Sequence, residues 1–260
     1  SDHVLGQGWN GGIGRVNCIG FHPTNSNIYY VGTPAGGIWK KYYSDPWEPL
    51  SDGLPAIGVS GILVHPTYTN RIYILTGDGD GRQTYSIGVL KSYDGGTTWQ
   101  QTGLSWDVTD WVRGYKLLMH PTNPDIQYVA ASTGIYKTTD GWNTYSHVET
   151  DWIYDIEFKP GNTLIMYAAG KYDFYRSTDS GDSWSIPAGS GATTTGTYRI
   201  AIGVSPGAYN YVYLLYGQST LDHTRTAFKG LYRSYDSGLN FDLRSNTPNI
   251  LGYNTSGNDF

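Results

Sequence analysis

The sequence predicts an all-β protein, a β-propeller built of four-stranded antiparallel blades. Three observations predict it. A short aspartate-containing turn occurs four times, a turn that in most copies carries His-Pro occurs five times at near-constant spacing, and the runs between them alternate in the manner of strands. Composition agrees: 24 Tyr, 9 Trp, 6 Phe and 35 Gly with only 15% charged residues suit many short strands joined by tight turns. No helical periodicity competes with this pattern.

The prolines define the unit. "FHP" ends at Pro23, "VHP" at Pro66, "MHP" at Pro121, "FKP" at Pro160 and "VSP" at Pro206. Their mean spacing of about 46 residues is the length of one propeller blade. Each proline closes a first strand, A, such as "VSGILVHP" or "IYDIEFKP", because proline cannot donate to the next rung of a ladder. Strand B follows: "IYYVG", "IYILTG", "IQYVAA", "LIMYAAG" and "YVYLLYG". Strand C comes after a loop: "GIWKK", "GVLKS", "GIYKT", "DFYRS" and "GLYRS". A short strand D leads out of the aspartate turn. The units read as 15–50, 57–104, 112–148, 152–187 and 197–244, with 245–260 the start of a further unit or a tail. Together they form one propeller domain or a fragment of a larger propeller.

The aspartate turn is expected to be framework rather than chemistry. It reads "SYDGGTTW" with Ser92, Asp94, Gly96 and Trp99, and "TTDGWNTY" with Thr138, Asp140 and Tyr145. It returns as "STDSGDSW" with Ser177, Asp179, Gly181 and Trp184, and as "SYDSGLNF" with Ser234, Asp236, Gly238 and Phe241. The Asp accepts backbone N–H groups inside the turn, the Gly supplies positive φ, and the aromatic residue packs between sheets. A catalytic motif is normally unique in a domain. The first unit has a shortened copy, "KYYSDPW", without the Gly pair.

Charge and cysteine usage exclude several classes. The net charge is −5 and no basic cluster exists, so a nucleic-acid partner is not expected. No run of 18 apolar residues exists, so no membrane span is expected. The opening "SDHVLGQGW" lacks the basic and apolar regions of a signal peptide. Cys18 is the single cysteine, which excludes an intrachain disulfide and reads as a buried small hydrophobe. His22, His65 and His120 fall one per unit, too dispersed for a three-histidine metal site.

Candidate chemistry lies on the B–C and D–A loops, which share the face opposite the aspartate turns. Weak catalytic candidates are Asp78, Asp80, Asp151 and Asp173. Ligand-binding candidates are Tyr85, Trp106, Trp111, Arg113, Trp152, Tyr154, Tyr172, Asp222 and Arg225. Aromatic faces beside carboxylates suit sugar rings, and the competing reading is that these aromatics only pack the blade ends. No cofactor is expected. In "GDGDG", Asp78 and Asp80 are a weak candidate for a structural Ca²⁺, but two carboxylates fall short of the six to eight oxygens that ion takes.

The repeated S-x-D-x-G-x-T-W pattern resembles the Asp-box, or bacterial neuraminidase repeat. That repeat is found in sialidases, glycoside hydrolase family 74 xyloglucanases, sortilin-type receptors and the photosystem II assembly propeller. The stretches "GRVNCIGFHPTNSNIYYVGTPAGGIWK", "TGDGDGRQTYSIGVLKSYDGGTTW" and "SNTPNILGYNTSGNDF" look like large secreted Bacteroidetes proteins exported by the type IX secretion system. The resemblance implies a secreted or cell-surface propeller. It also sets tests for activity. Family 74 has an R-T-D-x-G-G motif with a catalytic Asp in its first blade, and here "GTPAGG" puts Pro34 in that place. Sialidases need an F/Y-R-I-P segment near the start, and "YRIAIG" at Tyr198 lacks the Pro and comes late.

The leading expectation is therefore a non-catalytic module that binds an extracellular glycan or protein within a larger protein. Its further partners would be other domains of the same chain or secretion and cell-surface machinery. The alternatives are a glycoside hydrolase using Asp carboxylates on the loop face, and a structural or adhesin segment.

Overall fold

The structure, a computed structural model, describes residues 15–55, 57–81, 83–192, 196–219 and 226–251. Five antiparallel sheets follow one another along the chain. Sheet 1 contains β1 (Cys18–Phe21), β2 (Ile28–Gly32), β3 (Ile38–Tyr42) and β4 (Glu48–Pro49). Sheet 2 contains β5 (Val59–Val64), β6 (Ile72–Thr76), β7 (Gly88–Ser92) and β8 (Gln100–Ser105). Sheet 3 contains β9 (Gly114–Met119), β10 (Gln127–Ala131), β11 (Gly134–Thr138) and β12 (Ser146–Glu149). Sheet 4 contains β13 (Ile153–Lys159), β14 (Asn162–Gly170) and β15 (Phe174–Ser177). Sheet 5 contains β16 (Arg199–Val204), β17 (Val212–Ser219), β18 (Thr226–Ser234) and β19 (Asp242–Ser245). In each sheet, strands pair in chain order. The described residues contain no α-helix, only the 3₁₀ turns Val108–Asp110 and Pro206–Ala208. None of their helices is long and apolar enough to cross a membrane.

Sheet 4 departs from the expected four strands. Its fourth segment, "WSIP", makes one bridge, Arg176 to Ser185, and stops. Pro187 lies two residues on, and a residue without an N–H cannot extend the ladder.

The chain forms two compact units, Ser1–Leu117 and Leu118–Phe260. In the first, Tyr30 and Ile38 of sheet 1 pack with Val59, Ile62, Ile72, Ile74 and Leu90 of sheet 2. In the second, Tyr128, Ala130 and Ile135 of sheet 3 pack with Ile156, Met166, Ala168 and Tyr175 of sheet 4. Tyr167, Ala169 and Phe174 of sheet 4 pack with Ile200, Val212, Leu214 and Tyr216 of sheet 5. The strands of sheets 2 and 3 that carry B and C, namely β6, β7, β10 and β11, are buried along their whole length. That is why they read as near-continuous apolar runs, while the A strands alternate.

Repeated side-chain chemistry closes the turns. In the turn of sheet 2, Ser92 Oγ accepts from the Gly96 N–H at 2.8 Å and donates to Asp94 Oδ1 at 2.8 Å. The same carboxylate accepts from Thr98 N–H at 2.9 Å and Thr98 Oγ1 at 2.6 Å. Thr138, Asp140 and Thr144 repeat the pattern, as do Ser177, Asp179 and Ser183. In the last copy Asn240 supplies both donors to Asp236. Each such turn also donates a backbone N–H to the A–B turn of its own sheet or to the start of strand B: Gly95 to Asn70, Gly141 to Asp125, Ser180 to Leu164 in β14, and Ser237 to Asn210. The shortened first copy keeps that link, from Tyr43 N–H to Asn27.

Candidate functional site

The aspartate turns leave little for a ligand. Their carboxylates are engaged by donors of their own turn, which holds Asp94, Asp179 and Asp236 down at about 2. For Asp94 the Thr98 hydroxyl is the main cause, followed by the Thr98 N–H. The three histidines are equally occupied. Nδ1 of His22 accepts from Asn25 N–H at 3.1 Å, that of His65 from Thr67 and Tyr68 N–H at 3.1 Å, and that of His120 from Asn123 N–H at 3.2 Å. Each imidazole caps its own A–B turn. Among the described residues no group of three or more His, Cys, Asp or Glu is placed to hold a metal ion. Cys18 is half-buried, and burial pushes its thiol up to about 12.

The "GDGDG" loop is not the solvated turn its composition suggests. Asp78 is completely buried and pairs with Arg15 at 2.5 Å. It also accepts from the backbone N–H groups of Gly81 and Gln83, both at 3.1 Å. Burial alone would raise its carboxyl, but these donors outweigh burial and lower it. Asp78 therefore ties the loop together and presents no face to a substrate. Asp80 is exposed.

In the first compact unit, Tyr85, Trp106 and Arg113 are half-buried. Trp111 is 69% exposed. It ends the 3₁₀ turn Val108–Asp110 in left-handed backbone, φ 56°. Asp107 and Asp110 cap that turn reciprocally, with Thr109 N–H on Asp107 at 2.8 Å and Asp107 N–H on Asp110 at 2.9 Å. Asp222 and Arg225 lie outside the described residues.

Five candidates, Asp151, Trp152, Tyr154, Tyr172 and Asp173, converge at the loop end of sheet 4. The strand pair β13–β14 opens at Ile153 opposite Gly170, which brings Thr150–Trp152 beside Lys171–Asp173. Lys171 N–H donates to the Trp152 carbonyl at 2.9 Å, and Gly170 N–H to the Asp173 carbonyl at 2.8 Å. Between them lies a cleft of about 280 Å³, lined by Thr150, Asp151, Trp152, Lys171, Tyr172, Asp173 and Tyr175. Larger hollows lie at Lys159–Tyr209 and at Asn25–Glu48. The first has no carboxylate in its lining, and the second is lined by Asp45 and by Glu48, which is paired with Lys40 at 3.3 Å.

The two carboxyl groups of the cleft differ. Tyr175, nearly buried, donates its O–H to Asp151 Oδ2 at 2.5 Å. Burial first, then that hydrogen bond, pushes the Tyr175 hydroxyl far up. Asp173 is raised by burial and then by the charge of Asp151. Burial and the neighbouring charge thus favour the protonated form of Asp173, while Asp151 accepts the Tyr175 hydrogen bond. Around them stands an aromatic wall. Tyr172 is 53% exposed, and Trp152 packs 5.9 Å from Tyr154, whose ring carries Arg199 at 4.9 Å. Lys171 Nζ lies 5.5, 5.1 and 5.2 Å from the rings of Trp152, Tyr172 and Tyr198.

No known family profile matches the chain. It is 28% identical over 218 residues to a xyloglucanase of Hypocrea jecorina (strain QM6a), covering 78% of this chain and 25% of that protein. It is 26% identical over 219 residues to a xyloglucanase of Paenibacillus sp, covering 68% of this chain and 21% of that protein. The chain thus spans about a quarter of the length of these curated relatives. Among solved structures, an ancestral enzyme of glycoside hydrolase family 74 superposes with a TM-score of 0.71 at 16% identity, over 89% of this chain and 31% of that one. The fold is a β-propeller fold. Its sheets are the blades that the repeat predicted.

The sequence alone did not single out Lys171, Tyr175, Tyr198 or Arg199 as members of one site. Lys171 and Tyr198 flank motifs already chosen, but only the register of β13 on β14 brings their loops together. Tyr175 sits inside strand C, where a tyrosine reads as core.

Proposed function

We propose that the chain is part of an extracellular glycoside hydrolase of the xyloglucanase kind, and that it holds a neutral polysaccharide in the cleft of sheet 4. The observation that carries this is the pair Asp151 and Asp173 lining one cleft with Trp152 and Tyr172. The likeness to two xyloglucanases supports it and turns the balance from the non-catalytic module toward the hydrolase alternative. In this reading the Asp173 carboxyl gives its proton to the glycosidic oxygen as the C–O bond breaks. Water adds to the anomeric carbon and passes its proton to the Asp151 carboxylate. Hydrolysis of this kind uses two carboxyl groups, one as acid and one as base. Pro34, standing where the family 74 resemblance puts an Asp, moves the demand for carboxylates onto this pair.

The finer parts of the resemblance belong to the same proposal. The aspartate turns are Asp-boxes, the units form one propeller or a segment of a larger one, and the protein is a secreted or surface Bacteroidetes product of the type IX route. The test is release of reducing ends from xyloglucan by the purified chain, beside affinity electrophoresis on the same polymer. Hydrolysis lost in Asp173→Asn with binding retained supports the full reading. Binding without hydrolysis returns the chain to a binding module, and neither result removes glycans from its function.

A further inference from the structure

The cleft of sheet 4 contains a cation for which hydrolysis has no direct use. Lys171 lines the cleft, yet among the described residues it forms no ion pair with Asp151 or Asp173. Its ammonium faces aromatic rings instead. Trp152 comes from the D–A connection, Tyr172 from the B–C turn and Tyr198 from the segment that enters β16. These are three separate pieces of chain, and the ammonium lies within 5.1 to 5.5 Å of all three ring centres. We propose that Lys171 is a positioning residue whose ammonium clamps Trp152, Tyr172 and Tyr198 into one wall, on which an uncharged pyranose ring stacks.

The physical case has three steps. A cation over an aromatic face is attracted by the ring quadrupole, most strongly where water is partly excluded, and Lys171 is half-buried. Its root is fixed, because the Lys171 N–H is bonded to the Trp152 carbonyl at 2.9 Å. The clamp therefore joins the turn to the connection twice, once through backbone and once through the side chain. Arg199 extends the same arrangement by covering Tyr154, which packs on Trp152. Charge then selects the ligand. The cleft carries carboxyl groups and an ammonium side by side, so neither sign of charge on a sugar is uniformly favoured, and a neutral sugar meets no repulsion. Wall residues held in place before binding lose less freedom on binding.

The ligand half of this proposal rests on the glycan reading above, and the clamp half does not. Two measurements separate them. In lysine-labelled protein, the ε-methylene of Lys171 sits among three ring faces, so its NMR signal is expected upfield of the other lysines and is expected to move back in Trp152→Ala. A Lys171 signal at the ordinary lysine position overturns the clamp, whatever the protein binds. For the ligand, a neutral xyloglucan oligosaccharide is titrated into parent, Lys171→Met and Lys171→Arg. Lys171→Met is expected to weaken binding about five- to ten-fold with an unchanged melting temperature, and Lys171→Arg to restore it to within about two-fold. Equal or tighter binding by Lys171→Met overturns the positioning role. A parent chain that binds no neutral glycan overturns the ligand half and the hydrolase reading together, and the NMR signal still decides the clamp.

Discussion

Asp94 and Asp173 are the same side chain in opposite surroundings. Asp94 accepts donors from Ser92 and Thr98 and is held at about 2, while burial and the neighbouring Asp151 raise Asp173 above its ordinary 3.8. The consequences for stability differ in sign. The depressed Asp94, Asp179 and Asp236 contribute stability that is complete above about 3.8 and is lost as the pH falls toward 2. Acid titration of the folded state is expected to show its main loss in that window, and an unfolding curve flat from pH 5 to 2 contradicts it. Asp173 works the other way. Its folded-state proton is favoured, so its stability contribution is present below 3.8 and lost as the pH rises through its raised value. Asp173→Asn is therefore expected to raise the melting temperature at pH 7, with the gain shrinking to nothing below pH 3.8. Ser92, buried beneath the turn, is the more costly residue to remove: Ser92→Ala leaves the Gly96 N–H without its acceptor and is expected to cost about 1–3 kcal/mol by chemical denaturation.

At the scale of the element, the third aspartate turn shows how far the pattern reaches. The motif's spacing gives Tyr145 the interior place held by Trp99, Trp184 and Phe241 elsewhere. In the structure Tyr145 is 44% exposed, and Trp142, three residues earlier, is completely buried. Trp142 occupies the position of the motif's glycine, adopts its left-handed backbone at φ 70°, and donates its indole N–H to Gln127 at 2.7 Å. An indole at that point fills the space from the other side of the turn, so the later aromatic is free to face solvent. Trp142→Ala is expected to cost about 3–5 kcal/mol, as a buried Trp truncation does, and Tyr145→Ala to stay within about 0.5 kcal/mol. Equal losses in the two variants would show that Tyr145 kept the ancestral packing role. Spacing predicted the strand order because strands obey a two-residue rule. It missed this exchange because two residues of the motif can fill the same volume.

For the molecule as a whole, what was legible was whatever repeats. The A–B and aspartate turns recur with their internal partners, so four copies in one sequence amount to four views of one structure. The cleft occurs once. Asp151, Trp152, Tyr154, Tyr172 and Asp173 were visible as candidates, but so were Asp78, which proved a buried loop tie, and Trp111, which stands in the other compact unit. Residue type alone did not separate them, because convergence depends on which loops adjoin. The half-buried Trp152 and the exposed Trp111 supply the check. Trp152→Ala is expected to remove glycan binding, and Trp111→Ala to leave the melting temperature unchanged, since its indole is 69% exposed. Unfolding of Trp111→Ala would mean that the indole supports the capped turn rather than facing solvent.

The aspartate turn has one more consequence. In every copy the side-chain bonds that close it run between residues no more than four apart. The information that closes a blade is thus written within that blade's own stretch of gene. A duplication of about 46 codons, the repeat length, copies the lock together with the strands it locks. What the new blade still needs from its neighbour is matching shape and the few polar bonds between sheets, such as Trp99 Nε1–H to the Leu50 carbonyl and Lys137 Nζ to Asp182. A chain assembled this way can lengthen by whole units while its loops diverge independently, which accounts for four near-identical turns beside a chemically distinct cleft among the described residues.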